Sequence, residues 1–408
     1  MNMNQINTGN YTTLPKLSDI ETSHSIRMLR RIHSEIEKTG GAISFARFME
    51  LALYEPALGY YCAGARKFGP DGDFITAPEL SILFSRCLAH QCREILDQIG
   101  GGIILELGAG TGIMAAVILQ ELHTLDTLPE SYAILELSFE LRMRQRQTIS
   151  KLVPELLNRV IWLEQLPRSD IKGIVLGNEV LDALPVERFL ITTTGPRRLG
   201  VAWTDMYTTT GSTNGLCWTE CKEDQSIITT ISKIEAELGY KLPENYVSEY
   251  APQLTNWIYA ISDMLTTGAL IFIDYGYSRR EYYHPDRADG TLLCHYRHHA
   301  HTDPFIFPGL QDITASVDFT ALANIAQSIN LNLAGYTSQN YFLFGCGIME
   351  LLSDVDITNT FHYLEQARQV KLLTLPGEMG DRFKVICLTR GFDIPLRGFS
   401  IRNERNRL

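Results

Sequence analysis

The 408 residues are 45% hydrophobic and 20% charged, the proportions of a soluble globular protein long enough for one large domain or two ordinary ones. Lys plus Arg number 36 against 47 Asp plus Glu, a formal net charge of −11, which argues against nucleic acid as the main partner and suits a basic partner better. No apolar run is long enough to span a bilayer, so no membrane role is expected.

The start, MNMNQINTGNYTTLPKLSD, has no apolar signal core, and its first arginine is Arg27. With no export signal read there, the expectation is a cytoplasmic protein whose eight cysteines, with no C-x-x-C among them, are reduced thiols. Residues 1–22 read as a flexible arm, polar and rich in Asn and Thr. Helices are predicted at 23–38 and 44–54, the second capped by Ser44 with Phe45, Phe48, Met49 and Ala52 on one face. Pro78 opens a long helix to about Ile99, with Leu80, Leu83, Phe84, Cys87 and Leu88 as its inner stripe.

From Gly101 the period changes. IILEL (103–107), YAILEL (132–137), VIWLE (160–164) and IVLG (174–177) are short apolar runs separated by helix-length segments, and ALIFIDYG (269–276) continues them. Strands alternating with helices predict an α/β parallel sheet with right-handed crossovers. Residues 190–225 read as hairpins, 226–239 and 317–329 as helices, and LNLAGYTSQ with FKVICLTRG as a closing antiparallel pair. The basic tail RGFSIRNERNRL reads as frayed.

The strongest local signal is ILELGAGTGIMAAVIL, where Gly108, Gly110 and Gly112 turn a strand tightly into a helix and leave Ala109 between them. A dinucleotide fingerprint would need glycine at Ile113, and no Gly-Lys-Ser/Thr follows, so a pyrophosphate is not the expected ligand. Glu106, two residues before the first glycine, would repel a phosphate but can pair with a cationic amino-acid group or bind hydroxyls. Glu136, at the end of the next strand and beside Leu137, is placed for ribose hydroxyls. Two acids, a glycine turn and no phosphate signature fit S-adenosyl-L-methionine as methyl donor, with S-adenosyl-L-homocysteine as product. The competing reading is a structural turn with surface acids.

ISFARFMELALYEPALGYY, GDFITAPE, LELGAGTG, GNEVLDALPVERF, IDYG, GTL, PGLQDITASVDF and MGDRFKV occur in that order from about residue 43 to 390. Together they resemble the MidA family of class I methyltransferases, which includes the mitochondrial assembly-factor methyltransferase of respiratory complex I. The resemblance implies a Rossmann-like seven-stranded sheet, S-adenosyl-L-methionine as donor, and, from the mitochondrial member, an arginine acceptor on a complex I subunit. It also implies that GDFITAPE closes over the cofactor through Asp73 and Thr76, the competing reading being a loop that caps the helix at Pro78. Family members often carry Pro and Arg where this chain has Ala109 and Thr111, and Ser-Pro where it has Ser138-Phe139.

On this reading the domains are the arm, an N-terminal helical extension at 23–100, a methyltransferase domain at 101–391 with insertions at about 190–250 and 278–316, and a tail at 392–408. GIVLGNEVLDALPVERF then places Asn178, Glu179 and Asp182 beyond a strand end, where ligands of open α/β sheets bind. A guanidinium acceptor needs a carboxylate to hold its planar fork by charge-assisted bonds. Glu179 is the expected clamp and Asn178 its orienting neighbour. Asp182 either binds the acceptor or caps a helix. Asp274 either lines the acceptor side with Tyr275 or simply closes the sheet, and Glu249 is a further, lesser acceptor-side candidate. His284, His295, His298, His299 and His301 lack ordered ligand spacing, so no metal is expected. Arg142, Arg144 and Arg146 read as a solvated helix face. A small-molecule acceptor, or a non-enzymatic assembly role, stand as alternatives.

Overall fold

The computed structural model describes residues 14–63, 75–168, 170–204, 215–222 and 224–408. The chain divides into two compact units, one of Met1–Phe74, Pro185–Ala251 and Pro285–Ala315, the other of Ile75–Leu184, Pro252–His284 and Ser316–Leu408.

The second unit carries the parallel sheet. Its strands in chain order are β1 (Ile103–Leu107), β2 (Tyr132–Leu135), β3 (Val160–Leu163), β4 (Ile171–Asn178), β5 (Leu265–Tyr277), β6 (Asn332–Ser338) and β7 (Phe383–Arg390). They lie side by side as β6-β7-β5-β4-β1-β2-β3. Only β7 runs antiparallel to its neighbours, β5 on one side and β6 on the other; a two-residue strand, Val317–Asp318, also lies along β5. The alternating pattern predicted the parallel α/β sheet, and the seven strands are those the family resemblance implies. The central strands are buried on both faces, which is why they read as unbroken apolar runs rather than alternating ones. Chain order reverses between β1 and β4, so a crevice opens beyond the carboxyl ends of those two strands.

The helix Ile82–Ile99 buries Leu83, Phe84, Cys87, Leu88, Cys92, Ile95 and Leu96, spaced by three and four, in the same core as Ile104, Ile134, Ile174 and Leu176. Each such side chain contributes about 1.5–3 kcal/mol by leaving water. That stripe places the helix in the sheet unit, so the boundary falls at Phe74/Ile75 and not at 100/101. The helix does not start at Pro78. A separate turn, Ala77–Leu80, ends at Ser81, whose φ of −153° and ψ of 131° are extended and whose Oγ accepts from Leu83 N at 3.3 Å. A serine that satisfies a free helix N–H resets the start.

Two other expectations are corrected, and three helices are added. The first helix begins at Asp19, inside the expected arm, because Ser18 and Glu21 form a capping box; residues 1–13 lie outside the described residues. The tail is docked and not frayed. Phe399 is buried edge-on to Phe342 at 5.6 Å, Gly398 N donates to Gln91 Oε1 at 2.9 Å, and Glu404 N donates to Tyr336 O at 2.6 Å. Helices Gln339–Gly345, Ile348–Ser353 and Thr360–Thr374, not assigned from sequence, put Phe342, Leu343, Ile348, Leu351 and Leu373 into the core.

In the first unit, strands Ala42–Ser44, Glu187–Thr192, Gly195–Trp203, Leu216–Glu220 and Val247–Tyr250 form an antiparallel sheet. Its core joins Met28, Ile32, Phe45 and Phe48 to Val201, Cys294 and Ile313. The histidine-rich stretch contains a hairpin. Leu293–Tyr296 and His299–His301 pair as a hairpin turning at Arg297 and His298, whose φ values of 46° and 61° match the twist of the flanking strands. Burial holds His295 below the usual histidine range and takes His301 down to about 4. Among the described residues no group of three or more His, Cys, Asp or Glu is placed to hold a metal, and no helix is long and apolar enough to cross a membrane.

Candidate active site

The glycine loop leaves β1 at Leu107. Gly108, Gly110 and Gly112 have φ values of 65°, 52° and 84°, the left-handed region where side chains are strained. Gly112 has a second reason to be glycine, because a Cβ there would lie 2.9 Å from Gln145 Cα. At Gly110 a Cβ would meet nothing within 4 Å, so the loop faces open space there. Gly112 also stands at the N-cap of helix Ile113–Thr124 with no side chain to cap it. The unsatisfied N–H groups and the dipole of this end favour an anionic group such as a carboxylate.

Glu106 and Glu136 flank that loop from adjacent strands. Glu106 is 1% exposed and accepts from Tyr132 Oη at 2.7 Å. Burial, opposed by that hydrogen bond and reinforced by Glu136, pushes its carboxyl up to about 7. No Lys, Arg or His pairs with it among the described residues. A buried acid without a cation is costly, so the site fits a ligand that supplies one. Glu136 accepts from Ser138 N at 2.9 Å and from Gln145 Nε2 at 3.1 Å. Leu137, next in the chain, is 63% exposed.

Gln145 is a site residue that the sequence reading missed. It is fully buried, its Nε2 also donates to Gly110 O at 3.1 Å, and its Oε1 accepts from Trp162 Nε1 at 3.0 Å. It thereby ties the glycine loop, the β2 acid and β3 together. The available signal was its place on the buried stripe Leu141, Gln145, Ile149, a polar side chain at apolar spacing. Thr111 is tied in turn to Glu79 by a hydrogen bond from its hydroxyl. Thr76, expected as a cofactor contact, is the N-cap of Ala77–Leu80 without a side-chain cap bond. Asp73 lies outside the described residues.

Beyond β4 the chain makes a strained turn. Glu179 sits at φ 52°, its N–H donates to Ile273 O at 2.9 Å, and Asn178 Nδ2 donates to its Oε1 at 3.1 Å. Left-handed backbone costs an ordinary residue about 1–2 kcal/mol and, where it persists, often marks function. Asp274, expected to line the acceptor side, is instead fully buried beneath the turn. Its Oδ2 accepts from Leu181 N and Asp182 N at 2.9 and 3.2 Å, and its Oδ1 from Tyr275 N at 2.9 Å. Burial and the neighbouring Asp182 and Glu179 carboxylates push it well above the usual range, while those N–H groups pull it down. Asp182 is also buried, which raises it to about 6 against the Tyr275 hydroxyl. Asn178, Glu179, Asp182, Asp274 and Tyr275 are thus one cluster.

Glu249 belongs to the other unit and does not serve as an open acceptor-side residue. It is fully buried, 3.3 Å from Arg188 Nε, and accepts from Thr291 N at 2.8 Å. A buried carboxylate so paired secures strand and loop to each other.

Residues 87–337 match the sequence model of a family described as S-adenosyl-L-methionine-dependent methyltransferase. A crystal structure of a Burkholderia thailandensis protein bound to S-adenosyl-homocysteine is 39% identical and superposes with a TM-score of 0.90, covering 97% of this chain and 100% of that one. The chain is similar to the mitochondrial protein arginine methyltransferase NDUFAF7 of Homo sapiens, 28% identical over 393 residues, 88% of this chain and 83% of that protein. The Caenorhabditis elegans homologue, also mitochondrial, is 26% identical over 378 residues, with 86% and 84% covered. These relatives overturn the expected cytoplasmic location. That expectation rested on the missing leader signature alone, which fixes no compartment.

Proposed function

The chain belongs to the S-adenosyl-L-methionine-dependent methyltransferase family, and on that footing we propose that it N-methylates an arginine of a partner protein. The observation that carries the arginine is the turn after β4. It holds a carboxylate, Glu179, in left-handed backbone beside a donating amide, with Asp182 and Asp274 buried behind it. A carboxylate so held suits the planar fork of a guanidinium, which stays protonated at neutral pH and needs an anion to orient one nitrogen. The names of the mitochondrial relatives and the net charge of −11 support the same acceptor.

The donor is assigned to the crevice at β1 and β2, with Glu106, Gly108, Ala109, Gly110, Gly112, Glu136 and Leu137 around it. The cofactor's activated methyl group supplies the chemistry. The protein's own share is positional: Glu106 receives the cationic end, the uncapped helix at Gly112 the carboxylate, and Glu136 the ribose hydroxyls. Glu179 steadies the acceptor nitrogen for an in-line approach. An adjacent carboxylate, Glu179 or Asp182, takes the proton that the methylated nitrogen gives up.

The test is transfer of a labelled methyl group from the donor to candidate protein acceptors, beginning with the complex I core subunit that the resemblance points to, followed by hydrolysis and amino-acid analysis. Label on methylarginine is expected. Label on lysine, a carboxyl group or a small molecule would overturn the arginine assignment and leave the methyltransferase itself standing.

A further inference from the structure

Tyr132 opens β2, and its register partner on β1 is Ile104, two residues before Glu106. In parallel strands, residues in register share a face, and so do residues two apart on one strand. Tyr132 and Glu106 therefore project from the same side of the sheet, and the phenol reaches along it to the carboxylate at 2.7 Å. Tyr132 is fully buried and its hydroxyl titrates well above its ordinary range, so it stays a donor throughout the neutral range. The ionisable groups around Glu106 on the elements packed against it are Tyr132 and Glu136, from the second strand and its end, and Cys92, from the helix Ile82–Ile99. Burial holds that thiol far above neutrality. None of the three is a cation. Among the described residues the Glu106 carboxylate is therefore supported by a single neutral donor and opposed by a second acid.

We propose that Tyr132 is a positioning residue for cofactor binding: its hydroxyl, 2.7 Å from the Glu106 carboxylate, fixes that carboxylate in the place where the cofactor's cationic end pairs with it. The proposal rests on the reading that Glu106 receives that end. With its carboxyl at about 7 in the free protein, Glu106 is half protonated at pH 7. An incoming ammonium favours the charged form, so the proton leaves the carboxyl oxygen for bulk buffer as the ion pair forms. Above that pH the acid is already ionised and binding releases nothing.

The experiment is calorimetric titration of the full chain with S-adenosyl-L-homocysteine in two buffers of different ionisation enthalpy, between pH 6 and 8.5. The intact protein should release about half a proton per site at pH 7 and bind more weakly below that pH. Tyr132→Phe removes the donor and leaves the ring, so the midpoint should move up by about one pH unit. Its affinity deficit should then shrink from about tenfold at pH 6 to less than about twofold at pH 8.5. A loosened fold would weaken binding equally at all these pH values. Glu106→Gln keeps any proton belonging to the ligand and supplies the baseline, with no break near pH 7. Heat independent of buffer, or a Tyr132→Phe profile parallel to that of the intact protein, overturns the assignment to Tyr132. Failure of the intact protein to bind at all overturns the cofactor reading beneath it.

Discussion

Replacing Asp274 by alanine should damage the fold first and methyl transfer through it. Asp274 is fully buried and accepts from three backbone N–H groups, those of Leu181, Asp182 and Tyr275, at 2.9, 3.2 and 2.9 Å. Each buried donor left without a partner costs about 1–3 kcal/mol, so the gross loss is roughly 3–9 kcal/mol. Part is recovered, because the variant no longer buries a carboxyl that its surroundings hold well above the usual range. A net loss of about 3–5 kcal/mol is expected, the scale seen when one member of a buried polar network is removed. At roughly 2–4 °C per kcal/mol for a unit of this size, the thermal midpoint should fall by about 10 °C. Asp274→Asn keeps the volume and one acceptor oxygen, and should lose less than half as much. Thermal unfolding by circular dichroism at pH 7.5 would measure both. An alanine variant within about 2 °C of the parent would show that the turn beyond β4 does not hang on this carboxylate.

Glu179→Ala and Glu179→Gly should both abolish transfer while keeping cofactor affinity, but the glycine variant should be more stable than the alanine one by about 1 kcal/mol, since only alanine retains the strain of φ 52°; equal denaturant midpoints would contradict that. Gly112→Ala combines a φ of 84° with a Cβ 2.9 Å from Gln145 Cα, whereas Gly110→Ala meets open space. Both should weaken S-adenosyl-L-homocysteine binding, the first by displacing Gln145 and the second by putting a methyl into the space assigned to the cofactor, and both carry about 1–2 kcal/mol of left-handed strain, as titration and melting would show. In the ligand-free protein, Glu106 titrates at about 7 against an ordinary 4.5, so the folded state holds a proton there that the unfolded chain has lost. Stability from this group is present below pH 4.5 and falls by about 3 kcal/mol as pH rises to 7; Glu106→Gln should flatten that slope in urea unfolding between pH 5 and 7.5. Phe399→Ala, in the docked tail, should cost about 3–5 kcal/mol because its ring is buried against Phe342, and a change under about 1 kcal/mol would return the tail to a frayed segment.

The parallel sheet was legible because its central strands are buried on both faces and announce themselves as apolar runs ending in glycine or acid, as IILEL-G and IVLG-N do. The glycine loop and its two acids were legible for a related reason: glycines and a carboxylate at the end of an apolar run stand out against it. What stayed hidden was contact between residues far apart in the chain. Gln145 looked like one more polar residue in an arginine-rich helix until its amide was seen to reach Gly110 and Glu136. Asp274 carries the same side chain whether it faces a substrate or a backbone, and only the position of Leu181 and Asp182 decides between them. Ser81 broke a helix that its apolar stripe alone would have continued. The tail was misjudged because one aromatic anchor, Phe399, outweighed the surrounding arginines.

Because β7 comes last in the chain yet lies between β5 and β6, the sheet closes out of sequence order. When β5 emerges during synthesis, its outer edge has no partner for more than a hundred residues, and β6 follows without a place to pair. Both edges wait for Phe383–Arg390, and exposed strand edges invite pairing with other chains. Completion of the sheet is thus a late, long-range event of the kind that slows folding and raises dependence on chaperones. A ribosome stalled before Phe383 would carry a methyltransferase with its cofactor loop already made and its sheet still open.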